Sequence, residues 1–355
     1  MKTSTKHPYA GLPDSNFWRK AVSAVERFHF DPVTDVRFTI GKTDQVSTAG
    51  SCFAQHISSR LQSIGFNYQI VEQGADFDAV ERRERNYGVF SARYGNLYSA
   101  RQLLQLAQEA FGERTPADKA WKRGNVWVDP LRPNIEPNGF PTPEAVQEER
   151  QRHLSYVRQM LATTDIFVFT LGLTEAWRAK SDGTVFPLAP GVSGGSYDPE
   201  QHEFVNFSAR EVTEDMASFI ELLRRKNPKA KILLTVSPVP LIATYEPRHV
   251  MCSTVLSKSV LRVAADELYR TYNHVDYFPS FEIITGNYNH GYYWEADLRE
   301  VNSIGVGHAM SCFLKHYAKK IDGSAQKPTA ALHLPSASAA IRDIVCDEEA
   351  IVRGL

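Results

Sequence analysis

The sequence predicts an α/β protein, specifically a three-layer α/β/α sandwich with a mostly parallel central sheet and inserted loops. The first observation is a set of continuous apolar segments, among them IFVFTLGL and KILLTVSPVP, which are typical of strands buried on both faces. The second is that segments of helical apolar periodicity alternate with these strands along the chain. Such alternation predicts parallel strands joined by right-handed crossover helices.

In chain order the patterns predict a strand at Val46–Ala49, an amphipathic helix from Phe53 to Ile64, a strand at Tyr68–Val71, a helix over 99–111, a hairpin around 126–128, a helix over 143–162, the strand IFVFTLGL, a helix over 208–225, the strand KILLTVSPVP, a helix over 253–272, the strand VDYFPSFEII and a last helix over 303–319.

Three regions are expected along the chain. Residues 1–44 form an N-terminal helical extension with one capped helix from Phe17 to Phe28. Residues 45–322 form the main domain, with insertions near 112–143 and 178–207. Residues 323–355 form a tail that is rich in Ala and Ser beyond about Lys327 and is expected to pack only loosely. In the first insertion, Trp121 and Trp127 have the flat faces that suit a sugar site, although packing within the insertion is the favoured explanation.

Composition limits the function classes. The 355 residues are 43% hydrophobic and 23% charged, which suits one large α/β domain or two ordinary ones. A net charge of -1 and a sequence pI near 6.8 give no global reason to expect nucleic acid or an anionic membrane as a partner.

The expected localisation is based on two kinds of segment that the sequence lacks. The sequence has neither an N-terminal apolar core of signal-peptide length nor an apolar run of about 18 residues, so we expect a cytoplasmic protein without a membrane span. The four cysteines are far apart and form no C-x-x-C pair, so we expect reduced thiols and no metal site.

The stretch Gly50-Ser51-Cys52 lies where the first predicted strand meets the first predicted helix. Unpaired N–H groups and the helix dipole at such a turn lower the pKa of a thiol and stabilise an oxyanion. The competing explanation is structural, with Ser51 as a helix cap and Cys52 as a small buried hydrophobe.

Ligands of open α/β sheets bind outside the carboxyl ends of the strands. The loops at that edge carry Thr174 and Glu175 after the second long strand, and the segment before the last helix adds His290, Asp297, Arg299, Glu300 and His308. A nucleophile on the first loop followed by an Asp and a His near the end is the chain order of one hydrolase architecture.

The motif GSCFA at Gly50–Ala54 resembles the signature of the GSCFA family, which is grouped with the SGNH/GDSL hydrolases and acyltransferases. The resemblance extends over roughly residues 7–320, through HPYAGLP, NYGVF, YGNLYSARQLLQL, TLGLTEAW, TVSPVP, LSKSVLR and DLREV. It implies an SGNH-hydrolase-like fold. A nucleotide-binding protein is disfavoured, because the turn lacks the glycines of G-x-G-x-x-G and of a P-loop.

The resemblance also implies roles for individual residues. Cys52 takes the place of the nucleophilic serine and Ser51 that of the neighbouring aspartate, whereas a register shift of one residue would make Ser51 the nucleophile. Gly88 resembles the glycine of the second block. Gly172 to Glu175 falls on a Gly-x-Asn-Asp block in which Thr174 replaces the asparagine. Gly88, Gly172, Thr174 and Glu175 are therefore the expected substrate-binding or oxyanion-binding residues.

The last SGNH block is Asp-x-x-His, but here Asp297 is followed three residues later by Glu300. Three candidates for the general base remain: His308 oriented by Asp297, Glu300 itself, and His56, which lies one helical turn after Cys52. His308 is favoured because it follows Asp297 closely in chain order.

The expected function is acyl-ester chemistry on a carbohydrate or polysaccharide, as an O-acyltransferase or esterase with a Cys or Ser nucleophile. The expected partner is a carbohydrate or another small acyl acceptor or ester. No resident cofactor is required, and acetyl-CoA is a candidate acyl donor. The alternative is a catalytically degenerate SGNH-like fold that binds a glycan or a protein. Lys258 is expected to be a solvated helix residue, with binding of an anionic group as the alternative.

Overall fold

A computed structural model describes residues 7–319 and 346–352. The strands are β1 (Val46–Gly50), β2 (Trp121–Arg123), β3 (Val126–Val128), β4 (Ile166–Leu171), β5 (Glu175–Ala179), β6 (Val185–Phe186), β7 (His202–Asn206), β8 (Lys231–Val236) and β9 (Val275–Tyr277). The helices are α1 (Ala54–Ser63), α2 (Ala79–Glu84), α3 (Ala100–Ala110), α4 (Pro143–Thr163), α5 (Ala209–Lys226), α6 (Val250–Thr271), α7 (Ser280–Thr285) and α8 (Ser303–Tyr317).

The central sheet has the order β1-β4-β8-β9, and each neighbouring pair is parallel. Every residue of β1 and β4 is buried, as expected for strands covered on both faces. Residue Gly50 pairs with Thr170, so the carboxyl ends of β1 and β4 lie side by side. This arrangement places the turn after β1 next to the loop after β4.

Helices cover both faces of this sheet. On one face, alternate residues of β4, namely Phe167 and Phe169, pack in a core with α3, α4, α5 and α6. On the other face, Val168 packs in a second core with α1, α7 and α8. The alternation follows from the period of two along a strand. The expected α/β/α sandwich with a parallel central sheet is confirmed.

The inserted loops carry small sheets of their own. Residues 175–206 form the antiparallel sheet β6-β5-β7, which the sequence analysis did not predict, and β2 pairs with β3 as the expected hairpin. Trp121 is buried, and its ring lies 4.6 Å from that of Phe186, so it packs within the insertion rather than offering a free platform to a sugar.

Several predicted elements differ from the structure. Residues 14–29 form short 3₁₀ and π turns instead of one helix, and Trp18 there remains exposed, so no apolar face is buried that would favour a continuous helix. Tyr68 makes a single bridge to Val46 instead of beginning a strand. The last strand ends at Tyr277, and α7 begins at Ser280, because Pro279 has no N–H for the sheet ladder.

The tail also differs from expectation in its described part. Residues 346–352 pack on the main domain through a 3₁₀ turn, and Glu348 is buried there, so this part does not pack loosely. The rest of the tail, 320–345 and 353–355, lies outside the described residues.

Candidate functional site

The turn that follows β1 is tightly built. Gly50 has a φ of 135°, and a Cβ at this position would lie 2.4 Å from the carbonyl oxygen of Thr170. The N–H of Ser51 donates to that same oxygen at 3.2 Å. Only glycine therefore fits at the end of β1, and the close contact with β4 fixes where Ser51 and Cys52 lie.

The start of α1 offers main-chain donors beside Cys52. The N–H groups of Ala54, Gln55 and His56 bond to the carbonyls of residues 51, 52 and 53. The N–H groups of Cys52 and Phe53 have no main-chain acceptor among the described residues. At a helix start, such groups are suited to an oxyanion or another anion.

The segment from Tyr94 to Ser99 closes one side of the turn. Leu97 donates its N–H to the carbonyl of Gly50 at 2.9 Å, and the carbonyl of Tyr98 accepts from the N–H groups of Gly172 and Leu173 at 3.0 and 2.9 Å. Tyr98 is buried, and this burial is the largest cause that raises the pKa of its phenol well above the ordinary value; negative charge at Asp347, Glu348, Cys346 and Cys52 raises it further. The phenol is therefore neutral and able to donate.

Helix α6 brings a buried cation to the same place. Lys258 is 2% exposed, and its Nζ donates to the carbonyl of Gly172 at 2.7 Å. Burial lowers the pKa of Lys258 to about 8, partly offset by the negative charges of Glu348 and Cys52. The expectation of a solvated lysine is wrong, because the loop after β4 covers this face of α6.

The loop before α8 contributes Arg299, which is 8% exposed. The carboxylate of Asp297 accepts the N–H groups of Arg299 and Glu300, each at 3.0 Å, and Leu298 between them has a φ of 57°. This turn exposes Leu298 and Glu300 and directs the guanidinium inward.

The described part of the tail, residues 346–352, lies across the site. We call it the C-terminal segment. Arg299 donates to the carboxylates of Glu348 at 3.0 Å and Glu349 at 2.6 Å. Asp347 accepts from the side-chain amides of Asn96 at 2.7 Å and Asn134 at 3.0 Å. These four hydrogen bonds join the segment to the main domain.

Cys346 makes further contacts with Cys52 and Arg299. Cys346 is the hydrogen-bond partner of Cys52, and its Sγ lies 3.9 and 4.0 Å from the two terminal nitrogens of Arg299. The contact with Cys346 and then burial raise the pKa of Cys52 well above its ordinary value. The contact with Cys52, together with Arg299, lowers the pKa of Cys346 to about 7. Of the two thiols, Cys346 is therefore the more acidic, and Cys52 keeps its proton to higher pH.

Buried polar atoms without partners cluster around Cys52. Among the described residues, Ser51 Oγ, Tyr98 Oη and Arg299 Nε are buried and have no hydrogen-bond partner. Buried polar groups in proteins are nearly always paired, so orphaned ones mark a place where a ligand or water would supply the partner. Cys52, Lys258 and these three groups form the candidate site.

The sequence model of the GSCFA family matches residues 45–313. The chain belongs to the GSCFA family. The matched range contains Cys52, Lys258 and Arg299 and ends before the C-terminal segment. No curated protein matches the chain.

The favoured base of this GSCFA protein is not available to Cys52 in the structure. His308 is bonded through Nε2 to the carbonyl of Phe30 and through Nδ1 to the hydroxyl of Tyr293, both at 2.8 Å. Burial lowers its pKa. The carboxylate of Asp297 bonds to its own loop and does not orient this imidazole. His308 thus anchors the N-terminal residues of the GSCFA chain to α8.

The other two candidate bases are placed differently. His56 lies in α1 with its ring 5.3 Å from that of Phe53, and burial lowers its pKa to about 4, so it is neutral at pH 7. Glu300 is exposed, and its N–H closes the turn made by Asp297. Among the described residues, no hydrogen bond joins either side chain to Cys52.

Of the expected oxyanion-binding residues, the structure brings only Gly172 next to Ser51. Gly172 belongs to the site, because a Cβ there would lie 3.0 Å from Cβ of Ser51. Thr174 and Glu175 support the fold instead, since the hydroxyl of Thr174 donates to Asn206 at 2.7 Å and the carboxylate of Glu175 accepts from Thr244 at 2.7 Å. Gly88 lies in the turn after α2 with a φ of 76°.

Sequence analysis missed Tyr98, the burial of Lys258 and the inward position of Arg299. Each lies in a stretch that carried the family resemblance, namely LSKSVLR, YGNLYSARQLLQL and DLREV. A charged residue inside such a stretch was the available signal for the two cations.

Two further properties concern only the described ranges. Residues 7–319 and 346–352 contain no group of three or more His, Cys, Asp or Glu side chains arranged to hold a metal ion. None of the helices in the same ranges combines the length and hydropathy that a bilayer crossing requires.

Proposed function

We propose that this GSCFA protein carries out acyl-ester chemistry on a carbohydrate or polysaccharide, as an O-acyltransferase or esterase of SGNH-like type with Cys52 as the nucleophile. The observation that supports this most is the position of Cys52, at a strand-to-helix turn on the carboxyl edge of the sheet beside two buried cations. A thiol in such a setting can form a covalent acyl intermediate.

Lys258 is the proposed general base in place of a histidine. Its pKa of about 8 means that a fraction of its amines is neutral near pH 7, and the amine is buried close enough to respond to the charge of Cys52. A lysine with a pKa lowered by burial is an established type of base. His308 cannot take this role while both its nitrogens are bonded elsewhere.

The proposed reaction has two halves. The amine of Lys258 takes the proton of the Cys52 thiol, and the sulfur forms a bond to the acyl carbonyl carbon. The bond from that carbon to the leaving oxygen or sulfur then breaks, and the leaving group takes the proton from Lys258. In the second half, a sugar hydroxyl or water gives its proton to Lys258 and attacks the thioester, which releases the Cys52 thiolate to recover the proton.

Three donors are placed to stabilise the oxyanion. The N–H groups of Cys52 and Phe53 open α1, and the hydroxyl of Tyr98 is buried without a partner among the described residues. Each donor of this kind contributes about 3 kcal/mol to transition-state stabilisation in well-studied enzymes. The family resemblance implied that the Thr174 hydroxyl would bind the oxyanion. We assign this role to the Tyr98 hydroxyl instead, because the Thr174 hydroxyl donates its hydrogen bond to Asn206.

A thioester such as acetyl-CoA is the favoured acyl donor, because transfer to a cysteine exchanges one thioester for another of similar energy. The experiment is intact-mass spectrometry after incubation with acetyl-CoA or an aryl acetate. We expect one acyl adduct on the wild-type protein and on Ser51→Ala, and none on Cys52→Ala. Lys258→Met should form the adduct about 100-fold more slowly, in line with the usual contribution of a general base.

The matched control is Cys252→Ala, because Cys252 is an exposed cysteine outside the site. It removes a thiol without touching the proposed machinery, so its adduct should equal that of the wild type. An adduct that persists in Cys52→Ala and disappears in Ser51→Ala would transfer the nucleophile to Ser51. Absence of any adduct on the wild type with either donor would refute the proposal.

The second candidate function is a catalytically degenerate fold that binds a glycan or a protein. The observation that favours it is the engagement of His308 by Phe30 and Tyr293, which keeps the favoured histidine out of a conventional triad. In that case an oligosaccharide would bind without turnover, and binding measured by calorimetry would be unchanged in Cys52→Ala.

A further inference from the structure

The guanidinium of Arg299 has all its partners in the C-terminal segment. Within the described residues its terminal nitrogens contact Cys346, Glu348 and Glu349, and no acceptor from residues 7–319 reaches them. Its Nε is buried and has no partner in those ranges. A buried cation without a partner is strongly unfavourable, so when the segment leaves, the guanidinium is either hydrated or paired with another anion.

The C-terminal segment fills this place with acidic side chains at defined positions. Glu348 and Glu349 bond to separate nitrogens of Arg299, while Asp347 is held by the amides of Asn96 and Asn134. Glu348 is also close enough to Lys258 to raise the pKa of that amine. Carboxylates and a guanidinium form geometrically specific bonds, and amide donors suit a carboxylate equally well.

We propose that the cleft beside Cys52 is a binding site for ligands that carry two or more carboxylates, and that residues 346–352 of this chain occupy it in the structure as an internal competitor. This inference depends on the proposed function in one respect, namely that the cleft beside Cys52 is the substrate site. The chemical class of the ligand is thus an acidic one, such as an acidic saccharide or an acidic peptide.

Occupation by the segment has a direct consequence for Cys52. The thiol is 5% exposed and is in contact with Cys346. Access to the thiol therefore requires that the segment leave the cleft. A reagent that modifies thiols reports on this step without any catalytic turnover.

The test uses the full-length protein and iodoacetamide, a neutral thiol reagent. Alkylation is followed on the tryptic peptide Thr43–Arg60, which contains Cys52, with exposed Cys252 in the same digest as the internal standard. We expect Glu348→Gln/Glu349→Gln to accelerate the alkylation of Cys52 by about tenfold or more, because two charge-assisted hydrogen bonds to Arg299 are lost. Cys252 should react at an unchanged rate.

The matched control is Glu148→Gln/Glu200→Gln. It removes the same two charges from exposed side chains that have no hydrogen bond or ion pair among the described residues. Cys52 should stay as protected in this variant as in the wild type. Equal acceleration in the two double variants would show an effect of net charge or stability and would overturn the proposal.

A peptide added in trans tests the ligand class. An acetylated peptide of sequence SDEEAIV, with serine in place of the cysteine, should restore protection of Cys52 in Glu348→Gln/Glu349→Gln, whereas its amide counterpart SNQQAIV should not. Arg299→Gln in the same background should abolish this protection, and Arg299→Lys should retain part of it. Protection by inorganic phosphate but not by the acidic peptide would overturn the assignment to carboxylates.

The remaining outcomes separate the two proposals. If Cys52 stays protected in Glu348→Gln/Glu349→Gln, the segment is a permanent part of the fold and the inference is wrong, whatever the enzyme does. If Cys52 becomes accessible and the peptide protects it, but no acyl adduct forms, the carboxylate site stands and the proposed acyl chemistry fails.

Discussion

Gly50→Ala should be among the most destabilising substitutions of a single glycine in this protein. A Cβ at this position would lie 2.4 Å from the carbonyl oxygen and 2.8 Å from the nitrogen of Thr170. Thr170 lies in β4 and is paired on both sides, with Gly50 in β1 and Thr235 in β8, so it cannot move away. The main chain of Gly50 also has a φ of 135°, which L residues rarely adopt.

The two effects add. The unusual backbone conformation costs about 1 to 3 kcal/mol for a residue with a Cβ, and the forced contact in a packed core costs about 1 to 3 kcal/mol more. The expected loss is therefore about 2 to 6 kcal/mol, a large fraction of the stability of an ordinary domain. Gly65→Ala is the matched control, because Gly65 also has a positive φ of 76° but a Cβ there would meet nothing within 4 Å. It should lose only about 1 kcal/mol.

The assay is equilibrium unfolding in urea, followed by circular dichroism and tryptophan fluorescence. The expected result is a much lower urea midpoint of unfolding for Gly50→Ala than for Gly65→Ala. In the extreme case Gly50→Ala does not fold at all, whereas Gly65→Ala does. Equal losses in the two variants would refute the reasoning, because strain alone would then explain both and the contact between Gly50 and Thr170 would contribute nothing.

Three other predictions concern single side chains. Thr174→Val should lower the free energy of unfolding, measured in urea, by about 1 kcal/mol, because the hydrogen bond to Asn206 is lost. The rate of acyl-adduct formation should stay unchanged; a large decrease in that rate would show that the Thr174 hydroxyl does stabilise the oxyanion. Tyr98→Phe removes a buried hydroxyl without a partner among the described residues, so stability should hold or rise while adduct formation slows about tenfold or more; an unchanged rate would remove Tyr98 from the oxyanion site. The pKa of His56 is about 4 in the folded protein and about 6.5 in the unfolded chain. Between these two values the unfolded chain binds one more proton, so up to about 3 kcal/mol of folding stability is lost as the pH falls from about 6.5 to about 4. His56→Gln should therefore lose less stability than the wild type between about pH 7 and pH 4.5, and an equal loss would contradict the low pKa of His56.

The central sheet could be predicted because its signal is local. Strands β4 and β8 are largely apolar segments, β1 is a short, partly β-branched stretch that ends on glycine, and the helices between them carry an apolar stripe that must be buried against the sheet. The failures occurred where tertiary contacts or a single residue decide the structure. Pro279 divides an apolar run into a strand and a helix, and residues 175–206 form a separate antiparallel sheet from segments with no clear alternation.

The position of Cys52 could also be predicted, because a strand that ends on glycine before an amphipathic helix fixes a turn within a few residues. Its partners could not. His308 follows Asp297 in the order of a hydrolase triad, yet its imidazole bonds to the carbonyl of Phe30, 278 residues away in the chain. Such a contact has no local pattern, so chain order alone suggested a pairing that the folded protein does not make.

The burial of Lys258 also depends on contacts that are distant in the chain and therefore could not be predicted from the local sequence. Its place in α6 is compatible with a solvated lysine, and only the loop after β4 makes it buried and bonds it to Gly172. Arg299 likewise points inward only because the carboxylate of Asp297 organises the turn that precedes it. The sequence placed only Arg299 near the correct edge of the sheet, and the burial of both residues depends on elements far away in the chain.

The two buried cations link the stability of the site to its occupant. Lys258 and Arg299 lie beside Cys52 in a place where an uncompensated charge is unfavourable. In the structure Glu348 contributes negative charge to both, while Glu349 and Cys346 contact Arg299. Burial also disfavours the charged form of Glu348 and raises the pKa of its carboxyl to about 7. An occupant that is only partly stabilised can be replaced by a ligand whose carboxylates remain better solvated. The same cations would then favour the thiolate of Cys52, because the contact with Cys346 that now raises its pKa would be gone.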